Sequence, residues 1–436
     1  MNYNDSKIWH PFTQHGLNEP IISIASAKDE FLFCENGGKI IDGISSWWVN
    51  TLGHSNPIII NAIKEQSEML QQVIFAGFTH KPAEETATKI KKLLPEKLEY
   101  AFFSDSGSTS VEVALKMAVG YFYNKGIKNR TQIVAFEKSY HGDTFGGMSS
   151  GGKSVFNKAY QNMLFEVIHL PFPDKGSEAV TITAFKELLK TSASEIAAII
   201  LEPLILGAGG MKIYDSSVID ELYKLAKAHN IFFILDEVMT GFGRTGSVFA
   251  FEQTNIIPDI ICLSKGLTGG NLPLSLTLST KEIYEAFYST SKADMFFHSS
   301  SYTANPIACA AASANLDMWL ADSGKFLLDK ISNINKYHLK KIKELRNSKL
   351  VENPRVLGSI FAFDIKVENE GFLADIAIRL YDFYLKNGVL LRPLGNTVYI
   401  MPPYCISEKS LDKIYATIDL SLEYIRLNQN EIKVAN

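Results

Sequence analysis

Short apolar runs that alternate with helical segments constrain the fold of this chain more than any other feature. The run at residues 197–201 (AAIIL) is apolar throughout, as expected for a strand that is covered on both faces. Similar runs occupy 231–235 and 260–263, and residues 217–229 before the second run have helical periodicity. This alternation predicts an α/β fold with a mostly parallel sheet and helical crossovers.

The same criteria predict the remaining elements and a division of the chain. Helical spacing occurs at 58–72, 82–94 and 325–345 and in a long segment opened by residues 106–108, and strands are expected at 133–136, 274–279 and, as an exposed edge strand, 357–365. The character of the chain changes near residue 320. We therefore expect a large domain over 56–321 and a small C-terminal α+β domain over 322–436. The N-terminal segment 1–55 is expected to be part of the small domain.

Charge and cysteine usage exclude several function classes. The net charge is -4 and the pI is about 6.2, which gives no reason to expect nucleic acid or a membrane surface as a partner. No apolar run reaches the ~18 residues of a membrane-spanning helix, and residues 1–9 lack the apolar core of a signal peptide. The four cysteines are scattered and form no CxxC pair, so neither zinc nor redox spacing is present. A reduced, cytoplasmic location is expected.

An acid and a lysine follow two consecutive predicted strands. Asp236 ends one apolar run and Lys265 follows the next, 29 positions later. Ligands of open parallel sheets lie at the carboxyl ends of the strands. Pyridoxal phosphate chemistry needs this pair: a lysine amine that bonds to the aldehyde and moves a proton, and a carboxylate that keeps the pyridine nitrogen protonated. A salt bridge, or two unrelated solvated charges, remains the alternative.

A candidate phosphate site precedes the longest predicted helix of the N-terminal half. The segment SDSGS at 104–108 places Gly107 and Ser108 at the start of that helix. A helix N-terminus offers free N–H groups and a favourable dipole to an anion. The alternative is a plain N-cap by Ser106 or Ser108 with no ligand.

Two other nucleotide motifs are incomplete. Residues 241–246 (GFGRTG) match GxGxxG, but five residues separate them from the preceding strand, whereas the dinucleotide fingerprint turns directly from strand to helix. The run IFFILDE resembles a Walker B strand, and residues 147–154 (GMSSGGKS) match GxxxxGK[ST]. Ten residues separate this match from the predicted strand at 133–136, whereas a P-loop follows its strand directly. The sequence also contains no HExxH motif and no convincing metal spacing. A dinucleotide-binding protein remains a weaker alternative.

Longer segments carry a family resemblance. DEVMTGFGRTG (236–246) and CLSKGLTGG (262–270) resemble the class III, ornithine-type aminotransferases of pyridoxal-phosphate fold type I. Other segments are similar to the adenosylmethionine-8-amino-7-oxononanoate aminotransferase family: IWHPFTQ, DGISSWWVNTLGH, FAGFTH, SYHGDTFG, ILEPLILGAGGM and RPLGNTVYIMPPY. The resemblance extends from about residue 8 to 404.

The resemblance implies a fold, a cofactor and a reaction. It implies a large domain with a central sheet flanked by helices, a smaller α+β domain, and pyridoxal 5'-phosphate as cofactor. The implied reaction converts 8-amino-7-oxononanoate to 7,8-diaminononanoate in biotin biosynthesis. The implied donor is S-adenosyl-L-methionine, or lysine as in some relatives. Another class III ω-amino-acid transaminase, or a decarboxylase of the same fold, is the alternative.

Family roles transfer to matching positions. The resemblance implies that Lys265, Asp236 and Tyr140 are catalytic, with Tyr140 covering the cofactor ring. The implied cofactor-binding residues are Gly107, Ser108, Tyr140, Glu202, Asp236, Lys265, Ser300 and Ser301. The implied substrate-binding residues are Trp47, Tyr140, Arg244, Lys265, Ser299 and Arg392, of which Arg392 receives a carboxylate. Without the resemblance, each position has an ordinary structural alternative. Tyr140 could be a core aromatic, Glu202 a charge at a strand end, and Arg392 a surface arginine.

The resemblance also implies a homodimer with shared active sites. This chain differs from the family pattern at two places. Ser301 matches a hydroxyl that binds the cofactor phosphate of the neighbouring subunit, although the serines could instead form a polar loop that caps the next helix. The family often has a tyrosine where this chain has Phe12, and better-known members have Gly-Pro-Thr where it has Ser299, Ser300 and Ser301. These departures leave the amino donor and the pocket shape open.

Overall fold

The computed structural model describes residues 6–17, 21–368, 371 and 373–428. The strands in this part of the chain are β1 (Ile24–Lys28), β2 (Phe31–Cys34), β3 (Lys39–Asp42), β4 (Leu98–Ser104), β5 (Gln132–Phe136), β6 (Ile168–Leu170), β7 (Ile196–Leu201), β8 (Ile205–Leu206), β9 (Lys212–Ile213), β10 (Phe232–Asp236), β11 (Ile260–Leu263), β12 (Ser275–Thr280), β13 (Val351–Leu357), β14 (Ile360–Ile365), β15 (Val389–Leu390) and β16 (Thr397–Ile400). The α-helices are α1 (Ser45–Trp48), α2 (Pro57–Met69), α3 (Lys81–Leu93), α4 (Gly107–Asn124), α5 (Phe145–Ser150), α6 (Glu178–Ser192), α7 (Ser216–Ala228), α8 (Lys281–Glu285), α9 (Pro306–Leu320), α10 (Lys325–Leu345), α11 (Ile376–Lys386) and α12 (Glu408–Leu427).

A seven-stranded sheet forms the centre of the molecule. Its strand order is β4-β12-β11-β10-β7-β5-β6, and only β12 runs antiparallel to its neighbours. The prediction of a mostly parallel sheet with helical crossovers is confirmed. Strands β7, β10, β11 and β12 lie within two residues of their predicted bounds, whereas β4 was missed because its run LEYAFFS mixes polar and apolar residues.

Alternate residues of the central strands pack into different layers. Phe233 and Leu235 of β10 belong to the cluster that contains residues of α2, α3 and α9. Phe232 and Ile234 face the other cluster, where Val111 of α4 is fully buried. Because both faces are covered, β10 is apolar from Phe232 to Leu235, and its one polar residue, Asp236, lies at its carboxyl end.

A second, antiparallel sheet lies in the C-terminal part, where one sequence prediction is wrong. Residues 357–365 do not form one exposed edge strand: β13 ends at Leu357, the chain turns at Gly358, and β14 begins at Ile360. Strand β14 is buried and lies between β13 and β16. Gly358 has a positive φ of 56° and permits this turn. The covering strand β16 belongs to a separate segment of the chain, so local sequence did not reveal it.

The N-terminal strands pair with the C-terminal part of the chain. Strands β1, β2 and β3 form a sheet with β15, and β3 runs parallel to β15. This pairing brings α1, which follows β3, next to the segment that follows β15. The domain boundaries at 55 and 321 stay a prediction. In the described part of the chain, no helix has both the length and the apolarity needed to cross a membrane.

Candidate active site

A cavity of about 430 Å³ opens at the carboxyl ends of β5, β7, β10 and β11. Residues at or just after the ends of these four strands reach its wall: Tyr140, Glu202, Asp236 and Lys265. Parallel strands present their carboxyl ends at one edge of a sheet, so residues far apart in sequence converge there. The remaining wall comes from the N-terminal segment with α1, the start of α4, the segments that follow β5, β8 and β10, and the C-terminal part: Phe12, Ile44, Ser46, Trp47, Trp48, Gly107, Ser108, His141, Gly142, Phe156, Ala208, Val238, Met239, Tyr381, Leu390, Arg392, Pro393, Leu394 and Tyr399.

Lys265 presents a buried amine to the cavity. Its backbone has a positive φ of 43°, and its Nζ lies 4.9 Å from the ring centroid of Trp48. Burial lowers the pKa of Lys265 to about 8, although the nearby carboxylates of Asp236 and Glu202 oppose this shift. The neutral, nucleophilic form of the amine is therefore more accessible near neutral pH than in an exposed lysine.

Asp236 is held by a histidine that sequence reasoning missed. Its Oδ2 lies 2.7 Å from His141 Nδ1, and its Oδ1 accepts a hydrogen bond from the Val238 N–H at 3.1 Å. Both side chains of the Asp236–His141 pair are almost completely buried. These contacts fix the carboxylate at the cavity wall, where it can face a protonated ring nitrogen. His141 could have been found from its place in the segment SYHGD, where it directly follows Tyr140 in the loop after β5.

Glu202 fastens the backbone around the cavity. Its Oε1 accepts from the Tyr140 N–H at 3.0 Å and its Oε2 from the Gly207 N–H at 2.9 Å. Burial raises the pKa of Glu202 to about 7, and the Asp236 charge adds to this shift. Burial also raises the pKa of Tyr140, with a further contribution from Asp143. Glu202 thus holds the segment that carries the Tyr140 ring.

The N-terminus of α4 forms a tight cradle at one end of the cavity. Ser106 is its N-cap, and its side chain accepts from the Thr109 N–H at 3.2 Å, as the plain capping interpretation requires. Gly107 and Ser108 nevertheless line the cavity, with first-turn N–H groups available to an anion. A Cβ on Gly142 would lie 2.1 Å from Ser108 Oγ, and Gly142 has a φ of 110°. The cradle therefore requires glycine at position 142.

The tryptophan pair lies on a strained turn that a buried acid holds in place. Asp42, at the end of β3, accepts hydrogen bonds from the Ile44 N–H at 3.2 Å and the Ser46 N–H at 2.6 Å, and it contacts His54 Nε2 at 2.9 Å. Ser45, Ser46 and Trp48 all have positive φ values. The turn exposes Trp47 to the cavity mouth and buries Trp48, whose Nε1–H donates to Tyr399 Oη at 2.9 Å.

The two predicted arginines lie in different places. Arg392 lines the cavity, and its Nη2 donates to the Phe12 carbonyl at 2.8 Å. Arg244 is fully buried behind the cavity, where Nη1 donates to the Pro402 carbonyl at 2.9 Å and Nη2 to the Trp48 carbonyl at 3.3 Å. Arg244 therefore supports the tryptophan turn from behind, and the structure does not bring it to the cavity wall.

The serine segment is not part of the cavity wall of its own chain. Ser300 Oγ donates to the Asp105 carboxylate, Ser299 Oγ to the Ser300 carbonyl at 3.3 Å, and Gln72 Nε2 to the Ser301 carbonyl at 3.2 Å. Ser301 itself is exposed. Their assignment to a cofactor or substrate stays a prediction.

The fold and the site together define a pyridoxal-phosphate-dependent aminotransferase. Residues 12–422 match the family model described as Aminotransferase class-III. The lysine, the buried carboxylate and the helix N-terminal cradle are the three parts that pyridoxal 5'-phosphate requires of its site. When bound, this cofactor supplies the electron sink for the reaction.

Relatives narrow the class to one family. The chain is 44% identical over 419 residues to the adenosylmethionine-8-amino-7-oxononanoate aminotransferase of Synechococcus elongatus, covering 94% of this chain and 97% of that protein. It is 38% identical to the enzyme of that name from Helicobacter pylori, with 96% of both chains covered. A crystal structure of the enzyme from Methanocaldococcus jannaschii matches with a TM-score of 0.89 at 32% identity, covering 95% of this chain and 97% of that one. The chain belongs to the adenosylmethionine-8-amino-7-oxononanoate aminotransferase family.

Proposed function

We propose that this protein transfers an amino group from S-adenosyl-L-methionine to 8-amino-7-oxononanoate and forms 7,8-diaminononanoate for biotin biosynthesis. The names of its relatives support both substrates. The observation that carries the proposal is an aromatic wall between the reacting end of the cavity and Arg392. An acceptor with an apolar chain and a terminal carboxylate matches such a cavity.

The aromatic wall is continuous from Tyr140 to Arg392. The ring of Phe156 lies 5.9 Å from that of Tyr140 and 5.8 Å from that of Phe12, between centroids. Phe12 in turn lies 5.6 Å from Trp47, and the Arg392 guanidinium lies 5.6 Å from the Trp47 ring. Removing the methylene groups of a bound ligand from water against such a surface favours binding. The planar fork of an arginine suits a carboxylate at the end of the ligand's chain.

The chemistry at the other end belongs to Lys265 and its neighbours. Its amine, with a pKa of about 8, can take the proton from the donor carbon in the first half-reaction and deliver a proton to the acceptor carbon in the second. Asp236, fastened by His141, would accept a hydrogen bond from the protonated ring nitrogen of the bound cofactor. The Tyr140 ring, which lines the cavity, would cover one face of the cofactor ring and exclude water there.

The donor is the part of the proposal that most needs a direct test. Purified holoenzyme is incubated with 8-amino-7-oxononanoate and, in separate reactions, S-adenosyl-L-methionine, lysine or an ω-amino acid. Mass spectrometry then quantifies 7,8-diaminononanoate. We expect the diamine with S-adenosyl-L-methionine. Formation of 7,8-diaminononanoate only in the reaction with lysine would overturn the assignment of S-adenosyl-L-methionine as donor. Amino transfer to other ketones without any 7,8-diaminononanoate would favour an ω-amino-acid transaminase.

We further propose a cytoplasmic homodimer that shares its active sites. Large apolar side chains near the serine segment are exposed in the single chain, among them Ile74 at 65%, Phe78 at 60%, Phe297 at 63% and Tyr302 at 64%. Exposed apolar side chains of this size suit the interface with a second copy, and two-fold dimers are the commonest soluble oligomers. The four free cysteines suit a reducing compartment.

Complementation between inactive chains tests the shared site. Lys265→Ala chains are mixed with chains that carry Ser301→Trp, under conditions that permit subunit exchange. If Ser301 serves the partner's cofactor, the mixed dimer has one site with both defects and one with neither, so part of the activity returns. If each chain builds its own site, every site keeps one defect and the mixture stays inactive. A fully active monomer in dilute solution would also contradict the proposal.

A further inference from the structure

Arg392 contacts two aromatic rings, and sequence reasoning identified only one of them. The guanidinium carbon lies 5.6 Å from the Trp47 ring centroid and 5.2 Å from that of Tyr381. Tyr381 belongs to α11 and lines the same cavity. The contact therefore joins the tryptophan turn, the arginine and a helix of the C-terminal part at the cavity mouth.

Aromatic contacts restrain a guanidinium without using its hydrogen-bond donors. All five N–H groups of an arginine lie in the guanidinium plane, whereas an aromatic ring attracts the cation through its face. In Arg392, one Nη2–H is bonded to the Phe12 carbonyl at 2.8 Å. Within the described part of the chain, no other group accepts a hydrogen bond from this guanidinium, so its remaining N–H groups are available to a ligand.

We propose that Tyr381 is a positioning residue for substrate carboxylates: its ring, together with Trp47, holds the plane of Arg392 so that the free N–H groups face into the cavity. This inference rests on the proposed role of Arg392 as carboxylate receptor. The groups of the proton-transfer end have other partners: the Lys265 amine lies over the Trp48 ring, and Asp236 is bonded to His141. Because the Tyr381 ring contacts Arg392 instead, we expect it to act on substrate binding and not on proton transfer.

The inference predicts a split between affinity and turnover. Replacing Tyr381 by leucine keeps an apolar side chain on α11 but removes the ring face. One cation–π contact corresponds to roughly a 2- to 30-fold change in affinity. We expect the KM for the oxononanoate acceptor to rise by that factor, with kcat nearly unchanged. Tyr381→Phe keeps the face and should restore the wild-type KM.

A non-reacting ligand separates this inference from the proposed function. Calorimetry on holoenzyme measures the dissociation constants of octanoate and of 1-octanol, which has the same chain length and no carboxylate. Tyr381→Leu should weaken octanoate binding roughly 2- to 30-fold and leave octanol unchanged, and Arg392→Gln should abolish the preference for octanoate. The visible absorption of the bound cofactor confirms that each variant is folded.

Three results would overturn the inference. They are wild-type octanoate affinity in Tyr381→Leu, an equal loss of octanoate and octanol binding, and no preference for octanoate in the wild-type enzyme. The proposed function can fail separately: an enzyme with Tyr381-dependent octanoate binding that forms no 7,8-diaminononanoate would keep the positioning role and reject the acceptor.

Discussion

Asp42 offers a sharp test of how the fold positions the cavity mouth. Its side chain is completely buried and accepts from two backbone N–H groups, those of Ile44 and Ser46, while also contacting His54. These bonds hold a turn in which Ser45 and Ser46 have left-handed φ values of 54° and 59°. Asp42→Ala would leave two backbone donors without their acceptor in a conformation that already stores strain.

The size of the effect follows from these two donors. An unsatisfied buried donor costs about 1–3 kcal/mol. The Ile44 N–H is buried, whereas Ser46 is exposed and water can replace part of its bond. We therefore expect Asp42→Ala to lower the free energy of unfolding by about 2–4 kcal/mol. Asp42→Asn keeps an acceptor oxygen and should lose about half as much.

Two measurements check this prediction. Urea unfolding of the holoenzyme gives the change in stability, and steady-state kinetics give the KM for the oxononanoate acceptor, which should rise because the turn carries Trp47. Glu35→Ala is the matched control, since Glu35 is an exposed acid in the hairpin between β2 and β3. A variant Asp42→Ala with wild-type stability and wild-type KM would refute the argument that this carboxylate holds the turn.

Three further predictions concern the cofactor site. Asp236→Asn should retain cofactor but lose most of its turnover in the steady-state assay, because an amide cannot stabilise a protonated ring nitrogen; a near wild-type rate would mean that Asp236 is misassigned. Gly142→Ala should accelerate cofactor release in dialysis, since its Cβ would lie 2.1 Å from Ser108 Oγ; unchanged retention would contradict the cradle. The rate at which apoenzyme rebinds cofactor should increase with pH around a midpoint near 8, because Lys265 has a pKa of about 8 and only its neutral form attacks the aldehyde; a midpoint near the ordinary value of 10.5 would contradict the burial argument.

Sequence patterns predicted those features that depend on neighbouring residues. The apolar strands β7, β10 and β11 were recognisable because a strand covered on both faces is apolar throughout. Asp236 and Lys265 were recognisable because each lies at the end of such a strand, and parallel strand ends meet at one edge of a sheet. The N-terminus of α4 was visible from Ser106 and Gly107 for a similar local reason.

Features that depend on distant pairing could not be predicted in this way. Strand β14 was misassigned because its buried position depends on β16, which is formed by a separate segment. The place of His141 in SYHGD marks it as a residue near a strand end, but nothing in the sequence pairs it with Asp236, 95 positions away. Tyr381 has the spacing of an ordinary helix residue, and only the packing of α11 against the cavity brings it to Arg392. Arg244 illustrates the converse, because the glycine-rich segment suggested a pocket residue whereas the fold buries it behind Trp48.

Trapping the cofactor on its lysine tests the central claim most directly. Holoenzyme is reduced with borohydride and digested, and peptide mass spectrometry locates the modified residue. We expect a single label on Lys265, at the carboxyl end of β11, and no turnover in Lys265→Ala. A label on another lysine, or amino transfer by Lys265→Ala at the wild-type rate, would contradict the assignment of this cavity as the active site.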